Sequence, residues 1–344
     1  MRAFALVLGL MAAALLASPP SFAASFRTEN VETELHSARA VIAPGETFTI
    51  VLRQSIRDHW HTYWRNPGDS GESTQITWRL PPGFAAGEIQ WPAPEAIPFD
   101  ILVNYGFSGE VLYPIEISAP RNLPVGRSVT LHADLYWLVC SDVCIPEEGA
   151  LSLTLPVAAE GRDDLTWSAR IEAAVAALPR RDDAVHARVS AGPPARLSVA
   201  MPNALARDAH FFPYDRDAID HAAPQTPSSG RSGLSFVLTA GAADTLGQTT
   251  LEGVVTLVDA QGQSRAYEIA AEPGEPLPDT GGAGQTFEAQ VLNLPLLLAA
   301  LGFAFLGGLI LNIMPCVLPV LSVKALSFAG GAHAGQARRH GTLY

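Results

Sequence analysis

The chain has 344 residues, of which 48% are hydrophobic and only 16% charged, with a formal net charge of −12. That balance argues against a general nucleic-acid binder, which would carry a basic patch or stripe. The length admits two domains of ordinary size plus a membrane segment. With three cysteines, two can pair and the third must pair elsewhere or stay free.

Residues 1–23 read as a secretory signal peptide. Arg2 gives a short positive start, 3–17 is an apolar stretch too short to span a bilayer, and Ser21-Phe22-Ala23 offers a small-x-small cut. Everything from Ala24 onward is then expected in a compartment where disulfides form and persist.

Residues 24–160 alternate short apolar runs with Pro and Gly. The runs 47–52, 75–78, 110–117, 128–133 and 151–155 are the clearest, and their spacing predicts an antiparallel β-sandwich. Residues 161–180 break this pattern. Asp163 or Asp164 can cap, and Leu165, Ile171, Val175 and Leu178 recur at helical spacing before Pro179, so a connecting helix is expected. Residues 181–271 predict a second β-sandwich, with strands at 185–189, 197–201, 234–239, 251–258 and 266–270. Its loop 222–233 is rich in Pro, Ser and Gly and is expected to be mobile. This block holds no cysteine or ligand cluster, which suits a spacer.

Residues 272–290 read as a Pro/Gly linker, and 291–323 as a transmembrane segment without a charged side chain before Lys324. The segment ends in Met314-Pro315-Cys316-Val317-Leu318-Pro319. Proline removes a backbone donor and clashes with the preceding turn. In hydrocarbon such a break survives only against protein or beside a cavity, so a simple anchor has no use for it. Lys324, Arg338 and Arg339 make 324–344 a basic tail, and the positive-inside rule places it in the cytoplasm with both β-domains outside. The expected fold is therefore mainly β: two β-sandwiches followed by a transmembrane helix.

Cys140 and Cys144 lie four positions apart in Tyr136-Trp137-Leu138-Val139-Cys140-Ser141-Asp142-Val143-Cys144-Ile145-Pro146. If strands flank them, a three-residue connection is an ordinary hairpin length, and the two α-carbons fall within disulfide reach. A bridge closing so small a loop is a weak staple. Three roles stay open: a structural bridge, a half-site for copper or zinc, and an exchangeable redox pair. Asp142 between the cysteines opposes thiolate formation, so activation must come from elsewhere in the fold. His59-Trp60-His61 precedes Tyr63-Trp64 and Asn66-Pro67-Gly68. Two histidines in alternation on a strand share a face, and imidazole suits copper or zinc. Ordinary sheet-surface packing near a turn is the stronger explanation of the pattern.

The segment from Asn312 to Lys324 resembles the first membrane helix of the DsbD-type thiol:disulfide interchange proteins. The Leu-Val-Cys-Ser-Asp-Val-Cys-Ile-Pro and His-Trp-His-x-Tyr-Trp-x-Asn-Pro-Gly stretches resemble the periplasmic domain of their ScsB-like branch, linked to copper tolerance. The resemblance implies immunoglobulin-like domains and a protein-disulfide reductase in the bacterial inner membrane, both β-domains in the periplasm. It relays electrons from cytoplasmic thioredoxin, through a membrane cysteine pair, to periplasmic thioredoxin-like proteins, for disulfide repair, cytochrome c maturation or copper tolerance. By position Cys316 corresponds to the first membrane cysteine, and Cys140 and Cys144 to the N-terminal pair, with Cys144 attacking and Cys140 resolving. Relatives shield that pair with a short aromatic loop, for which Tyr105-Gly106-Phe107 is the local match. No cofactor beyond the cysteines is implied.

Two departures accompany the resemblance. The best-known members space these cysteines more widely. The chain also reaches Tyr344 after one membrane segment, so the expectation is the N-terminal part of a larger transporter that contacts the lipid bilayer and, through the missing helices, cytoplasmic thioredoxin. The rival reading is a membrane-anchored copper-binding module using His59, His61, Cys140 and Cys144.

Overall fold

The computed structural model describes residues 25–281 apart from 202–205 and 260. The expected signal peptide, transmembrane segment, basic tail and Cys316 lie outside the described residues. Among the described residues no helix is long and apolar enough to cross a membrane.

The first domain contains β1 (Ser25–Arg27), β2 (Val31–Ser37), β3 (Arg39–Val41), β4 (Thr47–Ile56), β5 (His61–Gly68), β6 (Gln75–Arg79) and β7 (Ala85–Ala86). It continues with β8 (Glu95–Phe99), β9 (Leu102–Ser108), β10 (Glu110–Ser118), β11 (Ser128–Cys140), β12 (Cys144–Pro156) and β13 (Arg162–Asp163). One sheet runs β1-β2-β4-β10-β7 and the other β12-β11-β5-β9-β8, with β6 also on β11; β13 pairs with β3. The expected sandwich is present, and each apolar run named above falls in a strand. Alternation explains it: Phe48, Ile50 and Leu52 of β4 face Leu131, Leu135 and Trp137 of β11 across one buried core. A polar link crosses that core, where Thr62 and Tyr113 both donate to Gln54 Oε1 at 3.2 Å.

The connecting helix α1 (Ser168–Ala176) is shorter than the expected 161–180. Asp164 Oδ1 accepts the backbone N–H groups of Thr166 and Trp167, each at 2.9 Å, and so shapes its entry. Of the four apolar positions only Ile171 is buried; Leu165 is 98% exposed, because it precedes the helix and lies off its apolar face. Docking is polar as well. Arg53 reaches Glu34 at 2.6 Å and Glu110 at 2.7 Å, Arg170 joins Glu110, and the Trp167 ring stacks on His36 at 3.5 Å.

The second domain contains β14 (His186–Ser190), β15 (Ala195–Ala200), β16 (Asp208–Pro213), β17 (Thr226–Ser229), β18 (Gly233–Leu238), β19 (Leu251–Val258) and β20 (Ser264–Pro273). Its strands form one seven-stranded sheet in the order β16-β19-β20-β14-β15-β18-β17. The second sandwich is thus a single curled sheet. Gln225 joins its two ends, accepting from Phe211 N–H at 2.9 Å and donating to Phe211 O at 2.7 Å, as a strand residue would. The loop 222–233, expected to be mobile, contains β17 and this clasp. The expected linker also begins later than 272. β20 runs to Pro273, and the 277–281 segment is tied down by Leu277 N–H to Ser198 Oγ (2.9 Å) and Ser232 N–H to Asp279 O (2.9 Å).

The two domains are not beads on a string. Phe212 and Val254 of the second domain belong to the first domain's core. The Phe212 ring meets Tyr105 at 4.9 Å and Trp64 at 6.2 Å, and Asn66 Nδ2 donates to Pro213 O at 2.8 Å. The second block is therefore more than a spacer: two of its side chains complete the first domain's buried cluster.

Candidate functional site

The strands β11 and β12 pair without interruption from Ser128↔Pro156 to Cys140↔Cys144. Leu131, Ala133, Leu135, Trp137 and Val139 face the core. Period-two alternation therefore sends Tyr136, Leu138 and Cys140 to the outer face of the sheet. Only Ser141, Asp142 and Val143 connect the strands, so the cysteines meet across the hairpin end. Their α-carbons stand 4.2 Å apart and the sulfurs are bonded.

The two sulfurs differ in access. Cys140 is 1% exposed, held between β12 on one side and His61 of β5 on the other. Cys144, first residue of the outermost strand, is exposed. A nucleophile arriving from solvent meets Cys144 first, and Cys140 is placed to leave or to resolve.

A buried polar face surrounds the pair. On β5, Thr62 and Trp64 point into the core, so His61 and Tyr63 point outward with the cysteines. Both are nevertheless buried. The reason is the loop 69–74, which folds back over them. Gly71 lies so close to Tyr63 that a Cβ would come within 2.1 Å of the ring, and its φ of +92° also requires glycine. Asn104 of β9 fastens the loop: its Oδ1 accepts from Ser70 N–H (3.2 Å) and Ser70 Oγ–H (2.8 Å), while its Nδ2 lies 3.4 Å from His61 Nε2. Asp69 exchanges bonds with Val103, and Arg216 of the second domain donates to Asp69 O at 2.7 Å. Tyr136 donates to Glu72 Oε2 at 3.0 Å on the outer side.

Under this lid the Tyr63 hydroxyl sits 3.5 Å from Cys144 Sγ. Burial pushes the Tyr63 phenol above its ordinary pKa, with the Ser70 hydroxyl pulling the other way, and burial lowers that of His61. At neutral pH the disulfide is thus flanked by an uncharged phenol and an uncharged imidazole.

Three expectations are corrected. Tyr105 and Phe107 do not form a shielding loop: both are buried in the strand β9, Tyr105 against Phe212 and His221, Phe107 against Tyr113. The segment 69–74 lies instead over Tyr63, beside the pair. His59 and His61 do not alternate on one strand, because β5 begins at His61 and His59 lies in the preceding turn with φ 68°. Nor do His59, His61, Cys140 and Cys144 assemble: no three His, Cys, Asp or Glu side chains come together as a metal site among the described residues. His210 and His221, given no role from sequence, lie at the domain junction, where His221 Nδ1 is 3.1 Å from the Tyr105 hydroxyl. Sequence reasoning missed Tyr63, Ser70, Gly71 and Asn104. The available signal was parity: Tyr63 stands two residues beyond His61 and so shares its face.

Fold and site together define a β-sandwich built around a cystine with one accessible sulfur, the equipment of a thiol–disulfide exchange module. Residues 32–156 match the family model of the thiol:disulfide interchange protein DsbD, N-terminal, so this region of the chain is a DsbD-type domain. Among solved structures the chain is similar to the N-terminal periplasmic domain of ScsB from Proteus mirabilis, at 19% identity over 73% of this chain and 98% of that one, TM-score 0.54. That coverage extends the shared fold beyond the first domain. The yeast GGA1 GAE domain matches at 11% identity over 38% of this chain and 97% of that one, with a TM-score of only 0.25. Comparison with curated proteins returned no match.

Proposed function

We propose that the chain is the periplasmic thiol–disulfide exchange module of a membrane protein-disulfide reductase, passing electrons between thioredoxin-like proteins. The observation that carries this reading is the pairing of an exposed Cys144 with a buried Cys140 across a hairpin too short to gain much from a staple.

The exchange needs sulfur alone. A partner thiolate attacks Cys144 Sγ, the Cys140–Cys144 bond breaks, and its electron pair leaves on Cys140, which takes up a proton. The partner's second thiolate then attacks the partner sulfur of the mixed disulfide and expels Cys144 as thiolate. The pair is now reduced and the partner oxidised. In the onward step Cys144 attacks the disulfide of the next acceptor, and Cys140 resolves it. Sequence supports the location: residues 1–23 read as an export signal and 291–323 as a membrane segment, placing the module in the periplasm on the inner membrane.

Mixed-disulfide trapping tests the proposal. Cys140→Ser, presented with an oxidised thioredoxin-like protein, is expected to accumulate a covalent adduct through Cys144, and Cys144→Ser is not. Equal adduct from both variants, or none from either, contradicts it.

A further inference from the structure

We infer that Tyr63 is a catalytic residue of this pair: its hydroxyl donates a hydrogen bond to the Cys144 sulfur and stabilises the thiolate form in which that sulfur attacks and leaves. The inference deepens the exchange reading and rests on it for its biological meaning, but its physical content can be tested separately.

The contact is directional by chemistry. In the disulfide, Cys144 Sγ carries no proton, so of the two atoms 3.5 Å apart the phenol is the donor. Its pKa, raised by burial, keeps that proton in place through neutral pH. The Ser70 hydroxyl proton is spent on Asn104 Oδ1 at 2.8 Å, so Ser70 does not replace Tyr63 as donor to sulfur.

The ring is also held. Gly71 lies against it, and Asn104 ties the lid through Ser70. The phenol therefore reaches Cys144 in a fixed pose rather than as one rotamer among several. Alternative sources of thiolate stabilisation nearby are poor. The pair has no Lys or Arg within the hairpin 136–148, Asp142 brings like charge, and burial keeps His61 neutral. The sequence required activation from elsewhere in the fold, and Tyr63 supplies a donor that costs no buried charge.

Each half of the exchange passes through a Cys144 thiolate, once expelled from the mixed disulfide and once attacking the acceptor. A hydrogen bond to the charged sulfur favours both states.

The test is a thiolate titration in the Cys140→Ser background, where Cys144 is the exported thiol that reports. The pH dependence of its iodoacetamide alkylation gives its pKa. Adding Tyr63→Phe is expected to raise that pKa by about one to two units, the scale of one hydrogen bond to a charged group. Replacing Tyr63 with 3,5-difluorotyrosine, a stronger donor of nearly the same shape, is expected to lower it. Opposite shifts cannot come from loosened packing. Superimposed titrations, or shifts of the same sign in both variants, overturn the inference. A wild-type protein that never exchanges with a thioredoxin-like dithiol would end the functional reading instead, leaving the titration result to stand or fall alone.

Discussion

Truncating Phe212 to Ala probes whether the second domain is part of the first domain's core. The side chain is 2% exposed and lies against Tyr105, Trp64 and His210. Phe→Ala in a core costs 3–5 kcal/mol; the lower end, about 3 kcal/mol, applies here because a junction between two domains can partly close the cavity. For a folding unit of this size that is a fall in Tm of roughly 6–12 °C. All six tryptophans lie between Trp60 and Trp167, so tryptophan fluorescence reports the first domain although the substitution is in the second. Thermal unfolding followed by fluorescence and by far-UV circular dichroism should shift together and remain one transition. A fluorescence midpoint that does not move, with a separate dichroism step, would refute the shared core.

Further predictions follow from the same geometry. Gly71→Ala places a methyl group into the Tyr63 ring at a positive φ; it should cost about 1–3 kcal/mol and, by lifting the lid, speed reduction of the disulfide by a small thiol such as dithiothreitol. An unchanged reduction rate would show that 69–74 does not shield the pair. Arg216→Ala removes the bond to Asp69 O and should speed the same reduction to a smaller extent, measured in the same assay. His210 is held down to about 4, chiefly by burial, with Asp208 opposing and His221 adding to the depression. Because the unfolded chain binds this proton first, stability should fall as pH drops from about 6.5 to about 4, by at most about 3 kcal/mol from this group, and level off below. Urea unfolding of His210→Gln across that range should show a correspondingly flatter profile.

Much of the architecture was legible because it rests on period-two alternation and turn chemistry. The runs at 47–52, 110–117 and 251–258 keep alternate positions buried, with Val51, Pro114 and Val254 buried on the other face too, and the three-residue Cys140–Cys144 connection has room for little but a hairpin. What escaped was what covers what. Tyr105 and Phe107 are apolar residues at strand parity, and nothing in their neighbourhood separates a core strand from a shielding loop; the resemblance pulled them toward the latter. The loop over Tyr63, 69–74, is short, polar and glycine-bearing, so it reads as an ordinary turn until Asn104, far away in sequence, is seen fastening it. His59 failed because one residue of left-handed backbone ended the alternation before β5 began. Leu165 shows the converse error, an apolar residue in register with a helix that starts three residues later. The joint between the domains left only a faint trace: Phe211-Phe212-Pro213-Tyr214 is an aromatic cluster whose partners, Trp64 and Tyr105, lie on other strands.

The reduction potential of the Cys140–Cys144 pair tests the central claim most directly, by equilibrating the protein with a thioredoxin or glutathione couple and counting free thiols. A module that trades electrons with thioredoxin-like partners must be poised among them, between about −120 and −270 mV. A value below about −300 mV would make the bond a static bridge and contradict the account.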